Sequence, residues 1–211
     1  MFTGIIEEVG TVVEAHGGNG DLRIRVAARL VTQDLTVGDS IAVSGCCLTA
    51  TEVDGAGFSA ELSQETVAKT APRWQAGARV NLERAMAANG RFGGHVVSGH
   101  VEGVGEVLTV RREPGAFVLT VRAPQRLAGY LIPKGSVTVD GVSLTVVDVG
   151  GPAGTDARLA PSEFTLWLIP HTQGATTLGE LAPGSTVNLE ADLIAKYLER
   201  LQLVKEPENV P

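Results

Sequence analysis

Short stretches in which apolar and polar residues alternate recur along the chain. Leu22-Arg23-Ile24-Arg25-Val26 and, in part, Phe117-Val118-Leu119-Thr120-Val121-Arg122 show period two, the mark of a strand with one buried face. Ser40-Ile41-Ala42-Val43 and Ser136-Val137-Thr138-Val139 are short β-branched runs of the same kind. About six such strands in each half predict a small closed barrel, which leaves no strand edge open. Short helices are predicted near Ala123–Leu131 and Glu65–Thr70. The tail departs from this pattern. Ile194, Tyr197, Leu201 and Val204 recur at helical spacing, with Lys196, Glu199, Arg200 and Gln202 between them. Asp192 stands at the start, where a carboxylate suits the helix dipole. A helix of about three turns is too short to hold alone in water. It must dock on its own barrel or on the same helix of other chains.

The two halves are repeats of one another. Thr3–Val12 aligns with Ser98–Val107, with five of ten positions identical, and Gly45-Cys46-Cys47-Leu48-Thr49 aligns with Gly141-Val142-Ser143-Leu144-Thr145. Phe58–Thr66 aligns with Phe164–Thr172, and Gly77–Glu83 with Gly184–Glu190, five of seven identical. The offset is 95 or 96 in the first two matches and 106 or 107 in the last two. The jump places an insertion between Thr145 and Phe164, in the loop Gly150-Gly151-Pro152-Ala153-Gly154-Thr155-Asp156. The first repeat has an Asp54-Gly55 hairpin turn there. The linker falls near Ala87–Gly94.

Composition narrows the function. A net charge of −7 with no basic face argues against a nucleic-acid partner. No apolar run is long enough for a membrane span. Met1–Glu7 lacks a basic segment and carries acid early, which predicts no signal peptide. Cys46 and Cys47 are the only cysteines, and neighbours rarely bridge, so a reducing, cytoplasmic compartment is expected.

Residues shared by the repeats report fold: Gly4/Gly99, Gly45/Gly141 and Gly77/Gly184 are expected at turns or bulges. The differences carry the chemistry. Cys47 stands opposite Ser143, Ile5 opposite His100, Glu65 opposite His171 and Ala85 opposite Asp192, while Thr49 and Thr145 match. Each also has an ordinary reading. Cys47 suits a small core site, and Ser143 and the threonines suit backbone partners at a turn. His95 and His100 suit linker or strand positions, and His171, after Pro170, suits a helix cap. The histidines have no Cys or acid at ligand spacing, so no metal is expected. Gly93-Gly94 lacks the Lys-Ser/Thr of a phosphate loop.

With these residues in hand, the chain resembles the riboflavin synthase family of two-domain lumazine-binding proteins, from Met1 to about Val204. The marks are Met1-Phe2-Thr3-Gly4-Ile5, Gly45–Thr49, Gly93-Gly94-His95 with Ser98-Gly99-His100, Gly141–Thr145, Leu168-Ile169-Pro170 and Thr176-Thr177-Leu178-Gly179. The expected architecture is mainly β: two tandem six-stranded Greek-key-like barrels, at 1–94 and 95–191, and a C-terminal α-helix over 192–206. The resemblance implies that two molecules of 6,7-dimethyl-8-ribityllumazine exchange a four-carbon unit, giving riboflavin and 5-amino-6-ribitylaminouracil. It implies no cofactor and no metal. It also implies a homotrimer bundled through the C-terminal helix, with each site between barrels of neighbouring subunits, and leaves association with lumazine synthase open.

Two identical rings need two similar pockets, and a duplicated barrel supplies them. Holding both in register is worth roughly 7–11 kcal/mol. The resemblance implies that one C7 methyl loses a proton, with His95, His100, Ser143 and Thr145 as candidates. The C7 carbon of the other molecule takes up a nucleophile, for which Cys47, Ser143 and water are candidates. Ring contacts, largely through backbone, are expected at Phe2, Gly4, Ile5, Ile6, at Cys47, Leu48, Thr49, and at Glu61, Leu62, Ser63, Gln64, Glu65, Thr66. Further contacts are expected at Gly99, His100, Val101, at Lys134, at Ser143, Leu144, Thr145, at Trp167, Leu168, Ile169, and at Pro170, His171, Thr172, Gln173, Gly174. Asp192 is a partner for the ribityl hydroxyls or the acidic proton. His171, where the first repeat has Glu65, is a departure of open effect. The rival readings are a non-catalytic lumazine or flavin carrier of the same fold, a flavin-binding module of a reductase, and a structural repeat protein. The carrier would lose one polar set, and both are present here. The reductase would need a nucleotide-binding fingerprint, which is missing.

Overall fold

The structure is a computed structural model and describes residues 1–18, 21–152 and 154–205. Ala153 of the insertion loop and residue 206 of the expected tail helix lie outside the described residues. The first barrel comprises β1 (Glu8–Gly18), β2 (Asp21–Ala27), β3 (Ser40–Val43), β4 (Cys46–Asp54), β5 (Gly57–Ser63) and β6 (Arg79–Arg84), closed in the order β1-β2-β5-β4-β3-β6. The second comprises β7 (Gly103–Glu113), β8 (Ala116–Arg122), β9 (Ser136–Val139), β10 (Val142–Val149), β11 (Glu163–Leu168) and β12 (Thr186–Ala191), closed in the equivalent order. All pairings are antiparallel. Alternation sends one face of each strand inward. Ile24, Ile41, Phe58, Leu62 and Leu82 fill the first barrel, and Leu119, Phe164, Leu166, Leu168 and Leu189 fill the second.

Short helices follow β5 and β11: α1 (Gln64–Lys69) and α2 (Pro170–Ala175). Ser63 caps α1, its side chain accepting from the Thr66 N–H. The equivalent cap of α2 is Ile169, so the expected capping role of His171 does not hold; Pro170 takes the first helical position and His171 the second, exposed. The β4–β5 turn is Gly55-Ala56 rather than Asp54-Gly55. Asp54 is the last paired residue, and its carboxylate accepts from the N–H groups of Ala56 and Gly57. The second repeat's insertion lengthens the same connection, between Val149 and Glu163.

The barrels meet about a local two-fold axis. Ser44-Gly45 and Asp140-Gly141 are two-residue hairpin tips with all four residues at positive φ, the geometry of a type I′ turn. The tips press together so closely that a Cβ on Gly45 would lie 2.7 Å from the Gly141 nitrogen, and the reverse holds too. Asn81 Nδ2 donates to Asp140 O at 2.9 Å, and Asn188 Nδ2 donates to Ser44 O at 2.8 Å. Their side-chain oxygens accept from Thr177 N and Ala71 N respectively, each in the opposite half. Phe2 pairs with its own equivalent, Val97, across the axis.

The tail forms α3 (Leu193–Lys205), with Asp192 accepting from the Ile194 N–H at 2.9 Å. Tyr130 to Glu199 and Lys196 to Glu102 tether it to the second barrel. Ile194, Tyr197, Leu198, Leu201 and Val204 remain exposed.

Candidate active site

The segment that opens each repeat lies across the other barrel. Glu83 on β6 accepts from Thr3 N, Thr3 Oγ1 and Gly4 N at 2.7, 3.0 and 3.0 Å. Thus held, Gly4 O accepts from Ser143 N at 2.8 Å, and Ile6 packs against the second core. Glu190 on β12 accepts from Ser98 N, Ser98 Oγ and Gly99 N at 2.7, 2.6 and 2.9 Å. Gly99 O then accepts from Cys47 N at 2.7 Å, and Val101 packs against the first core. Burial raises both carboxyl pKa values, and the donated hydrogen bonds oppose it. Gly4 and Gly99 are therefore straps rather than turns. A Cβ at Gly4 would sit 2.6 Å from Ser143 Cβ, and one at Gly99 would sit 2.7 Å from Cys47 Cβ.

Beneath each strap the barrel wall opens. The β4–β5 pairing runs from Ala50/Ala60 toward the turn; Cys46–Thr49 pair only with β3, and Glu61–Ser63 only with β2. In the second barrel β10–β11 pairing begins at Val146/Leu166, while Val142–Thr145 pair only with β9, and Trp167 and Leu168 only with β8. Two notches result, each edged by main-chain groups without a strand partner on that side. A flat heterocycle with alternating donors and acceptors satisfies such edges as a strand would. The structure thus gathers Cys47, Leu48, Thr49, Glu61, Leu62, Ser63 and the 99–101 strap at one notch. It gathers Ser143, Leu144, Thr145, Trp167, Leu168, Ile169 and the 4–6 strap at the other. Gln64, Glu65 and Thr66 continue the first into α1, and Pro170, His171, Thr172, Gln173 and Gly174 continue the second into α2. Gln173 Nε2 donates to Leu168 O at 3.1 Å, on the notch edge.

The notches differ in polar equipment. His95 Nδ1 lies 2.7 Å from Ser143 Oγ, and His95 Nε2 lies 3.2 Å from Thr138 Oγ1. Burial lowers the His95 pKa, and the Asp192 charge partly opposes this. The equivalents of Thr138 and Asp192 in the first barrel are Ala42 and Ala85. Lys134 is held at φ 66, where the first repeat has Gly38, and its N–H donates to Val146 O at the base of the notch. His100 is exposed beside the first notch on the 99–101 strap. Cys47 is half-buried there, whereas Cys46 is buried with its thiol pushed up to about 12 by burial. Phe2 is wholly buried among Ala42, Val97 and Cys47, so it supports the notch from beneath.

Sequence reasoning missed the two clamping glutamates, Thr138 and the exchange of straps. Glu83 and Glu190 could have been found, being charged residues repeated within apolar strands. An open groove of about 760 Å³ lies between β3, β6 and the 85–93 linker and holds Ile5 alone of the expected site residues. Among the described residues no three His, Cys, Asp or Glu side chains converge as a metal site.

Twin barrels with one backbone-edged notch apiece define a duplicated heterocycle-binding protein. The family described as Lumazine binding domain matches residues 3–85 and again 98–192. The chain is 43% identical to riboflavin synthase of Actinobacillus pleuropneumoniae over 212 aligned residues, covering 100% of this chain and 94% of that one. It is 42% identical to riboflavin synthase of Bacillus subtilis, covering 99% and 93%, and 43% identical to that of Mycobacterium tuberculosis, covering 95% and 98%. LumP complexed with 6,7-dimethyl-8-(1'-D-ribityl) lumazine shares the fold at TM-score 0.77 and 21% identity, over 90% of this chain and 99% of that one. LumP complexed with riboflavin does so at TM-score 0.79. This chain belongs to the riboflavin synthase family of lumazine-binding proteins.

Proposed function

We propose that the chain converts two molecules of 6,7-dimethyl-8-ribityllumazine into riboflavin and 5-amino-6-ribitylaminouracil, as a transferase. The supporting observation is the pair of equivalent notches, each completed by the other repeat, with a proton-handling cluster beside only one. Two like molecules bind through the same backbone edges, and His95 with Ser143 treats one of them differently. Burial keeps His95 neutral near pH 7, ready to accept a proton from an acidic C7 methyl. Cys47, or a water beside it, faces the other notch as a nucleophile. The exchange balances without oxidant, reductant or net water, so it calls for no redox cofactor, and the reading that no metal takes part predicts an unchanged rate after treatment with a chelator.

The unpartnered apolar face of α3 supports assembly through this helix, and the family resemblance points to a homotrimer with sites between subunits. Truncation before Asp192 then yields folded barrels that no longer associate, and an unchanged oligomer by light scattering overturns this. Reduced cysteines and the lack, among the described residues, of any helix long and apolar enough to cross a membrane support a cytoplasmic location. Association with lumazine synthase rests on the resemblance alone. The decisive experiment supplies purified protein with the lumazine as sole substrate and follows flavin absorbance. Formation of one flavin per two lumazines supports the enzyme; no flavin at any pH favours a carrier.

A further inference from the structure

One row of side chains crosses three strands on the outer face of each barrel. In the second barrel the row is Ser143, Thr138 and Glu190, with Thr138 the register partner of both others. In the first it is Cys47, Ala42 and Glu83, with Ala42 in the centre. Val137 and Val139 point into the core, as do Ile41 and Val43, which sends the central residue outward, beneath the straps. There it is closed from water: Thr138 is 1% and Ala42 2% exposed. The glutamate is the same in both rows and clamps a strap. The other two positions change together, from a thiol and a methyl group to two hydroxyls. Alanine meets the needs of the fold at the centre of the first row, so the barrel itself does not call for the Thr138 hydroxyl. That hydroxyl meets His95 Nε2 at 3.2 Å, and Ser143 Oγ meets the other ring nitrogen at 2.7 Å. His95 N donates to Thr3 O at 3.2 Å, which fixes the backbone behind the ring.

Resting on the reaction proposed above, we infer that Thr138 is a positioning residue: it accepts a hydrogen bond from His95 Nε2–H and so leaves Nδ1 bare toward the Ser143 hydroxyl. The two distances differ in the sense this requires. Hydroxyl donors make shorter bonds, most often about 2.7–2.8 Å, than N–H donors, whose bonds extend to about 3.2 Å. The 2.7 Å contact is therefore Ser143 O–H donating to Nδ1, and the 3.2 Å contact is Nε2–H donating to Thr138 Oγ1. In a neutral imidazole one nitrogen donates and the other accepts, so an acceptor set on one side chooses the base on the other. The Ser143 oxygen then takes a proton from the acidic methyl group of the substrate while its own proton passes to Nδ1. The C–H bond and the Ser143 O–H bond break, a new O–H and an N–H bond form, and the electron pair of the C–H bond stays on the substrate. The imidazolium so formed has two N–H donors and one hydroxyl oxygen for each, so both stay paired out of water. Without the Thr138 oxygen, the tautomer that leaves no buried N–H unpaired is the opposite one, with Nδ1–H donating to Ser143. That tautomer has no lone pair for the serine proton.

The test uses the full-length protein, isotope-labelled at the ring nitrogens of its four histidines and read by nitrogen NMR, with His95→Gln assigning the His95 signals. In the unaltered protein Nδ1 gives the signal of a bare imidazole nitrogen and Nε2 that of an N–H nitrogen. Thr138→Val keeps the shape of the side chain and removes the acceptor. It reverses that pattern and lowers kcat about tenfold or more, while KM changes less than about twofold. Thr138→Ala, which copies the first repeat, does the same with a side chain the fold already accepts at that place. Thr138→Ser returns the hydroxyl and recovers both the pattern and most of the rate. A proton on Nδ1 in the unaltered protein, or an unchanged spectrum and kcat in Thr138→Val, overturns the inference. Equal losses in Thr138→Ser and Thr138→Val overturn it too, since they reduce Thr138 to packing. When the unaltered protein makes flavin from the lumazine, these outcomes touch this assignment alone. If it makes none, the reaction itself fails and the role of Thr138 goes with it.

Discussion

His95 Nδ1 and Ser143 Oγ share a hydrogen bond of 2.7 Å across 48 residues of sequence. One lies where the linker enters the second repeat, the other at the head of β10. Gly94 makes the approach feasible, since a Cβ there would stand 2.6 Å from Ser143 Oγ. As a proton-transfer unit, the pair predicts that Ser143→Ala lowers kcat by about 10²-fold or more with little change in lumazine affinity. His95→Ala should do the same, and the double variant should be little worse than either, since groups acting together are not additive. Multiplying losses in steady-state kinetics would separate their roles.

The pH profile gives an independent reading. An imidazole titrates ordinarily at about 6.5, and burial holds His95 below that while Asp192 pulls it back. The acid limb of kcat should therefore lie below pH 6.5, and Asp192→Asn should move it lower still. A limb that stays in place in the variant would mean that His95 is not the titrating group.

The straps predict an exchange of damage. Gly99→Ala forces a Cβ onto Cys47 at positive φ, so it should weaken binding in the first barrel, although residue 99 belongs to the second repeat. Gly4→Ala should weaken the second notch. Titration of two lumazine sites should show one lost in each variant, with destabilisation of about 1–3 kcal/mol by denaturant unfolding.

A further asymmetry bears on stability. Asp140, wholly buried, lies 2.8 Å from Arg73 Nη2 of the first repeat, a pair whose equivalents are Ser44 and Gly179. Burial raises the Asp140 pKa from 3.8 to about 6, with Arg73 opposing. The folded state therefore holds this proton more tightly than the unfolded chain. Its contribution is full below pH 4 and is lost as the pH rises to about 6. Removing Arg73 raises the carboxyl further and extends that loss to higher pH. Arg73→Ala should cost about 3–5 kcal/mol at pH 7 and less at pH 4. Adding Asp140→Ser should recover most of it. Equal losses at both pH values would show that Arg73 acts by packing alone.

Much of this was legible in the chain. Period-two runs, four ordered matches and one jump in offset are enough for two barrels and the place of the long loop, because alternation and turn chemistry act locally. The paired glycines were legible as special positions, but not as straps. Gly4 and Gly99 sit in near-identical contexts that would fit either barrel. Which barrel each strap crosses shows only in contacts between the halves, Gly4 O with Ser143 N and Gly99 O with Cys47 N, which no local pattern carries. Thr138 was invisible for a related reason: it lies in an ordinary β-branched run and matters only because His95 arrives from elsewhere. The turn after Asp54 shifted by one residue because that carboxylate caps the turn from its last paired position.

The crossing of the two opening segments has a consequence for the molecule's history. A solitary half would have a bare mouth and an arm with nowhere to lie. Both faults disappear together when two identical halves meet about the same axis. Fusing them in one chain makes that meeting independent of concentration. It also releases each half from having to match its partner, which is what allows a thiol on one side to face a hydroxyl on the other.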